Sequence, residues 1–313
     1  MAASTGRLAP SPTGHLHLGH ARSFLLAWWH ARSRGGQIVL RLEDLDVERV
    51  KPGMLDETLR DLEWLGLDWH GTPWIQSAHA AAFDEAVQQL LARHLAYPCV
   101  CTRKEIAEAQ SAPHAGQEKA RYPGTCRGKF ATLAEAREAS GRDPAVRLLV
   151  EPGRVEFRDE FAGRQSFDVH AEVGDFPIAR RAGAVAYQLA VVVDDARQGV
   201  GEIVRGDDLL ASAARQRLVQ QALGLPHPRT WHVPLVTDEH GRRLAKRSDD
   251  LALARLRTSG IDPRRVVSWV ARRSGIALSE LASARELAPA FDIQRVPHEP
   301  ITCGPSELAE LGL

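Results

Sequence analysis

The chain has 313 residues, and its 40 Lys plus Arg match its 40 Asp plus Glu, so the formal net charge is zero. That balance excludes a protein that grips polyanions by bulk charge, but it leaves room for a local basic track for RNA. Shares of 44% apolar and 26% charged residues exclude a chain disordered throughout, and the length suits two domains or one large domain with an insertion.

Residues 6–8 predict a short strand, which runs into a loop punctuated by Pro10, Pro12 and Gly14. Residues 20–34, HARSFLLAWWHARSR, predict a helix with Phe24, Leu25, Trp28 and Trp29 on one face, closed by Gly35 and Gly36. QIVLRLE, residues 37–43, predicts a strand. Strand, phosphate-sized loop, helix and strand form the opening of a doubly wound α/β sheet. Helices are expected over residues 54–65 and 79–95. From residue 97 to about 180 the character changes, with a cysteine cluster, a polar stretch over residues 110–116, and strand-like runs at 145–150 and 154–157. This segment reads as an insertion into the sheet domain. YQLAVVVDD, residues 187–195, resumes an apolar core element, followed by a helix over 209–223 and a strand over 231–236. Residues 248–313 are helical in pattern, broken by Pro263, Pro289, Pro297, Pro300 and Pro305, and predict a small cap. No apolar run approaches the ~18–20 residues of a membrane span, and the opening residues lack a signal peptide's apolar segment, which predicts a cytoplasmic protein.

Three segments carry chemistry. In PSPTGHLHLGH, residues 10–20, His17 and His20 stand at a helix entrance. Unpaired N–H groups and the macrodipole bind phosphate there. Imidazoles at such a place can donate to a phosphoryl group gaining charge, and Gly19 lets a flat ring such as adenine approach the backbone. By itself the short motif also suits a His-rich surface loop, or a metal site using His15, His17 and His20. In GRRLAKRS, residues 241–248, Arg242, Arg243, Lys246 and Arg247 crowd a Gly-led loop that could fold over polyphosphate; alone it also reads as a solvated basic turn. Cys99, Cys101 and Cys126 cluster while Cys303 stands apart, the usage of a reduced chain with a metal site. Three thiolates leave a tetrahedral zinc one ligand short, and His114 is the chemically usual fourth.

RLAPSPTGHLHLGHAR, GGQIVLRLEDLD, YQLAVVVDD, IVRGDDLL and ARQ together resemble the glutamyl branch of the class I aminoacyl-tRNA synthetases, over about residues 6–248. The HLGH and LAKR runs stand where that family has its two paired signatures. The resemblance implies a Rossmann-like doubly wound parallel sheet split between residues 1–96 and 181–247. It implies a zinc-bearing, RNA-contacting α+β insertion over 97–180, and a short helical C-terminal segment over 248–313 with no anticodon-binding domain. It implies that Arg7, Leu8, Ala9, Pro10, Ser11, Glu43, Tyr187 and Arg205 bind glutamate. Arginine forks would meet its carboxylates, Glu43 its ammonium, and Ser11 and Tyr187 would add neutral hydrogen bonds. ATP would be bound by His17, Gly19 and His20 together with Arg243, Leu244, Ala245, Lys246 and Arg247. His17, His20 and Lys246 would be the catalytic groups, and Mg²⁺ is expected with ATP.

The reaction implied is attack of a glutamate carboxylate on the ATP α-phosphorus, promoted by positioning and charge stabilisation with no protein nucleophile. Ala245 departs from the family, which places a hydroxyl there. Tyr122 matches a phenolate ligand of the short members, so the implied structural zinc set, one ion per chain, is Cys99, Cys101, Tyr122 and Cys126. The short tail and the run DDARQGV, residues 194–200, resemble those members. They activate glutamate with ATP without tRNA and transfer it to queuosine in the anticodon of tRNA(Asp). Implied partners are ATP, L-glutamate and that anticodon stem-loop, with no membrane, the chain acting as a monomer. Arg180, Arg181, Arg215 and Arg217 are the candidates for docking RNA. Two alternatives stay open: a truncated synthetase charging a tRNA 3′ end, and a non-catalytic glutamate- or RNA-binding relative.

Overall fold

The N-terminal segments fold as β1 (Thr5–Leu8), α1 (Leu18–Arg32), β2 (Gln37–Leu42), α2 (Met54–Trp64), β3 (Trp74–Ile75) and α3 (Ala80–Ala92). The middle of the chain adds β4 (Ala96–Cys99), α4 (Arg103–Glu108), α5 (Leu133–Ser140), β5 (Ala145–Leu148), β6 (Val155–Asp159), β7 (Gly163–Phe167), α6 (Val169–Glu172) and β8 (Pro177–Ala179). Next come α7 (Tyr187–Arg197), β9 (Glu202–Gly206), α8 (Leu210–Leu223), β10 (Arg229–Val233) and β11 (Val236–Thr237). The C-terminal part carries α9 (Leu253–Thr258), α10 (Pro263–Arg272), α11 (Ala284–Leu287), β12 (Ile301–Thr302) and α12 (Pro305–Leu311). The computed structural model describes residues 4–108, 121–180, 184–242, 244 and 251–312.

The principal sheet is parallel. β2 pairs with β1 and β3, and β10 pairs with β9. The two pieces meet where the Gly201 N–H donates to the Thr5 carbonyl at 2.9 Å. Strands of a parallel sheet are covered on both faces, so they read as nearly unbroken apolar runs. Leu8, Ile38, Leu40, Leu42, Val204 and Val233 accordingly sit in one core. The turn from α1 into β2 needs Gly36, where a Cβ would lie 2.6 Å from the Ser4 carbonyl oxygen.

The helix expected over residues 20–34 starts earlier, at Leu18, and its burial is wider than one face. Leu18, Ala21, Arg22, Leu25, Leu26, Ala27, Trp28, Trp29, His30 and Ala31 are all buried, whereas Phe24 is only partly so. The cause is a second layer. Leu253, Leu256, Val266, Val267, Trp269, Val270 and Phe291 of the C-terminal segment join the same core, and the Trp29 indole donates to the Ala284 carbonyl at 2.8 Å. The tail also adds a strand that its proline-broken pattern did not predict, since β12 pairs in parallel with β11.

The segment between β4 and β8 is antiparallel, with β5 pairing to β4 and β8 and with β6 and β7 forming a hairpin. Val146, Leu148, Phe157 and Ile178 from it share a second core with Phe83 and Leu90 of α3, Leu189 to Val193 of α7, and Ala213, Ala214 and Val219 of α8. The apolar run at 187–195 is therefore a helix buried between two layers. Among the described residues, no helix is long and apolar enough to cross a membrane.

Candidate active site

The loop after β1 turns into α1 at His17, and the turn fixes both imidazoles. The His17 Nδ1 accepts from the Gly19 N–H at 3.1 Å, and the His17 N–H donates to the His20 Nδ1 at 3.1 Å. These two bonds satisfy donors that a helix start leaves orphaned. They also set the tautomers: with Nδ1 accepting in each neutral ring, Nε2 carries the proton. The rings lie 3.8 Å apart between centroids. A Cβ at position 19 would come 3.0 Å from the His17 ring, so any side chain there would press on that imidazole.

A cavity of about 500 Å³ opens in front of this turn at the carboxyl ends of the parallel strands, the usual ligand crevice of such sheets. Arg7, Ala9, Pro10, Ser11, His17, Gly19, His20, Glu43, Tyr187 and Arg205 all line it. They come from β1, the first loop, the first turn of α1, the end of β2, the start of α7 and β9. Leu8 is the exception, its side chain fully buried in the core. The Glu43 N–H donates to the Pro10 carbonyl at 2.9 Å, which ties the loop to the end of β2.

Buried charge surrounds this cavity, and most of it is paired by residues that sequence reasoning missed. Arg41, fully buried, donates through Nη1 to Asp195 Oδ1 at 2.8 Å and to Gln198 Oε1 at 2.8 Å, and through Nη2 to Glu43 Oε1 at 3.2 Å. Arg7 Nε approaches Asp195 Oδ1 at 3.5 Å and makes no hydrogen bond among the described residues. Arg205 donates through Nε to His232 Nε2 at 2.9 Å and through Nη2 to Gln216 Oε1 at 2.8 Å, leaving its buried Nη1 without a partner among the described residues. Burial pushes the Glu43 carboxyl up, with the Arg41 and Arg7 charges pulling the other way. Burial likewise pushes the Tyr187 phenol up.

The second signature begins beside this cavity. Leu244 N–H donates to the carbonyl of Val236, itself a lining residue, and after the loop Ala252 forms a bridge with His17. Leu244 is buried. Arg243, Ala245, Lys246 and Arg247 lie outside the described residues, as do His114 and Arg181. Of the remaining RNA-docking candidates, Arg180 is exposed. Arg215 donates to the Ser212 hydroxyl at 2.8 Å and Arg217 packs over Phe157, so neither stands as an open cation.

The cysteine cluster is a separate site on β4 and the loops beside it. The thiols of Cys99, Cys101 and Cys126 lie within 4.8 Å of one another. The Tyr122 hydroxyl is 3.3 Å from Cys99 Sγ and 3.9 Å from Cys101 Sγ, and it accepts from the Cys126 N–H at 2.8 Å. Arg147 completes the surroundings: Nε reaches Cys99 Sγ at 3.1 Å and the guanidinium lies 3.7 Å over the Tyr122 ring. This donor set could hold a metal ion. Cys303 is buried far along the chain against the C-terminal core.

A parallel sheet whose strand ends gather a paired-histidine turn and converging arginines belongs to a known class. Residues 4–310 match the family of class I tRNA synthetases for E and Q, catalytic domain, and the chain belongs to that family. It is 43% identical over 317 residues to the glutamyl-Q tRNA(Asp) synthetase of Symbiobacterium thermophilum, covering 98% of each chain. It is 49% identical over 249 residues to the protein of that name from Geobacter sulfurreducens, covering 80% of this chain and 77% of that one. Among solved structures, a glutamate tRNA ligase from Elizabethkingia meningosepticum shares the fold at a TM-score of 0.84 and 24% identity, over 99% of this chain and 68% of that one.

Proposed function

We propose that this chain activates L-glutamate with ATP and transfers the glutamyl group to queuosine in the anticodon of tRNA(Asp), without needing tRNA for the first step. The observation that carries this reading is the single cavity lined by Arg7, Ser11, Glu43, Tyr187, Arg205, His17 and His20. Relatives named glutamyl-Q tRNA(Asp) synthetase support the choice of acceptor. Glutamate presents two carboxylates and an ammonium. Among the described residues, Arg7 and Arg205 each bring a buried guanidinium nitrogen without a hydrogen-bond partner, Nε in the first and Nη1 in the second. Such donors are costly to bury unless a ligand acceptor meets them. Glu43 is the counter-charge for the ammonium, with Ser11 and Tyr187 as neutral partners.

In the first step a glutamate carboxylate oxygen bonds to the ATP α-phosphorus, and the bond to the departing pyrophosphate breaks. The His17 and His20 Nε2–H groups donate to the phosphoryl oxygens as charge builds there. Lys246 meets the triphosphate and the leaving pyrophosphate as a point charge. Mg²⁺ is expected with the nucleotide, held through phosphates and water. In the second step a hydroxyl of the queuosine cyclopentenediol bonds to the glutamyl carbonyl carbon, the bond from that carbon to the phosphate oxygen breaks, and AMP leaves with the hydroxyl proton passing to its phosphate or to water. The thiols of Cys99, Cys101 and Cys126 fit Zn²⁺ by softness and spacing, the Tyr122 oxygen beside them would be the fourth, harder ligand, and a closed shell of four would make the ion's role structural. In this reading the protein works in the cytoplasm, its residues 97–180 contact the RNA, and it acts as a monomer.

The test offers labelled glutamate and ATP to tRNA(Asp) prepared with and without queuosine. Label retained only on the queuosine form is expected. Label on both forms, or on tRNA(Glu), would replace this reading with charging of a tRNA 3′ end.

A further inference from the structure

The Arg205 guanidinium is held from behind by groups that the proposed reaction does not use. Asp159, the last residue of β6, and His232, on β10, are both fully buried side chains. Asp159 Oδ2 accepts from the Thr230 hydroxyl at 2.7 Å and from His232 Nδ1 at 2.6 Å. Its Oδ1 accepts from the N–H groups of Ala162 at 2.8 Å, Phe161 at 3.1 Å and His232 at 3.1 Å. So many donors on one carboxylate keep it ionised, and His232 and the Ala162 N–H hold it down at about 2 against the cost of burial.

The carboxylate leaves the imidazole one arrangement. Nδ1–H donates to Asp159, so the lone pair of Nε2 faces Arg205 and accepts from its Nε at 2.9 Å. Burial pushes the His232 ring below its ordinary value, which keeps it neutral beside the guanidinium. A charged ring would lose that acceptor and set one cation against another. Gln216 Oε1 takes Nη2 at 2.8 Å, and the Gln216 amide is itself anchored by donating to Gln188 Oε1 at 3.0 Å. With Nε and Nη2 engaged by His232 and Gln216, Nη1 is the guanidinium nitrogen without a partner among the described residues, and Arg205 lines the cavity.

We propose that Asp159 and His232 form a positioning relay for Arg205: the carboxylate sets the imidazole tautomer, the imidazole sets the rotation of the guanidinium, and the Nη1 edge is thereby offered to a carboxylate of the ligand. Neither residue reaches the ligand itself; both act through Arg205. Asp159 ends β6 at the turn of the β6–β7 hairpin, paired with Gly163, so the shape of the glutamate pocket depends on a hairpin outside the parallel sheet. The inference rests on the glutamate reading of the cavity.

The test measures ATP–pyrophosphate exchange for the natural protein, His232→Asn and His232→Gln, resolving kcat and the KM values for glutamate and for ATP. An asparagine amide nitrogen falls near the place of Nδ1, and a glutamine amide oxygen near the place of Nε2. His232→Asn therefore keeps the bond to Asp159 and removes the acceptor for Arg205, while His232→Gln keeps the acceptor. His232→Asn is expected to raise the KM for glutamate by about tenfold or more, the loss of one charge-assisted contact, with the KM for ATP unchanged. His232→Gln is expected to recover most of that loss. A silent His232→Asn, or variants that shift both KM values together without rescue by Gln, would overturn the relay. A second readout needs no activity and no variant: the ¹⁵N shifts of His232 should report a neutral ring protonated on Nδ1 at pH 7 to 8. A ring protonated on Nε2, or on both nitrogens, overturns the relay whatever the substrate is. A natural protein without glutamate-dependent exchange fails the glutamate reading instead, and the ¹⁵N result then decides the relay alone.

Discussion

Glu43 shows how one residue serves two partners at the end of a strand. Its carboxylate is paired to Arg41 and its N–H to Pro10, so it holds the first loop while facing the cavity. Replacing it with Gln leaves the volume and removes the charge that would meet the ligand ammonium. Charge-assisted bonds contribute about 1.5–3 kcal/mol. The KM for glutamate should therefore rise roughly 10- to 100-fold, against little change in the KM for ATP, as read by pyrophosphate exchange. Asp159 makes a different prediction, about stability. Its carboxyl sits at about 2 in the folded protein against an ordinary 3.8, so its contribution is present above pH 4 and is lost as pH falls towards 2. A shift of that size corresponds to about 2 kcal/mol. In urea unfolding, Asp159→Asn should be less stable than the natural protein by about that amount at pH 7, and the gap should close between pH 4 and pH 2. A gap that stays constant with pH would show that lost packing, not charge, is what the substitution removes.

At the scale of elements, the cysteine module is thinly built. Its own apolar core consists of Tyr97, Cys99, Tyr122 and Cys126, flanked by partly buried Val100, Ile106 and Phe130. Four buried residues cannot offset the ordering of the surrounding loops, whereas a structural zinc supplies folding free energy directly. Metal removal by a chelator should then raise amide exchange in residues 97–108 and 121–130 and leave β1, β2, β9 and β10 protected. Equal protection with and without chelator, together with no zinc in elemental analysis, would remove the metal from this site. The cysteine spacing was legible in the sequence. Arg147, which lies against both Cys99 and Tyr122, was not, because nothing in its own strand marks it and Cys99 stands 48 residues away.

At the scale of the molecule, the C-terminal segment is part of the main core and not an appendage. Trp269, Val270 and Leu256 are fully buried, and the Trp29 indole of α1 depends on the Ala284 carbonyl. A chain ending at residue 250 would uncover the side of α1 that carries Trp29, which packs against Phe291 and donates to Ala284, and would remove Leu253, Leu256, Val266, Val267, Trp269 and Val270 from the shared core. Loss of several such side chains at about 1.5–3 kcal/mol each is comparable to the whole usual stability of a domain. The shortened chain should fail to give a cooperative melt by circular dichroism, and a normal melt would show the tail to be dispensable. The same layering explains why α1 was read too narrowly. Periodicity assigned it one buried face, as for a helix on one sheet, but a helix between a sheet and a second helical layer is covered nearly all round.

The sequence by itself determined the opening strand, loop, helix and strand, the parallel sheet that they begin, and the residues whose meaning is local. The His17–Gly19–His20 turn is local because the capping bonds span three residues. The cysteine set is nearly so. Arg7, Glu43, Tyr187 and Arg205 were recognisable through resemblance to a family, since each sits in a motif at a strand or helix end. Only the tertiary structure decided what holds those groups in place. Arg41 meets Asp195 across 154 positions and Asp159 meets His232 across 73. Each of the four looks like an ordinary charge or ring within its own segment. Folding strips water from them together, and in that dry interior a charge is stable only with a partner, so the pairings become specific at the moment the layers close.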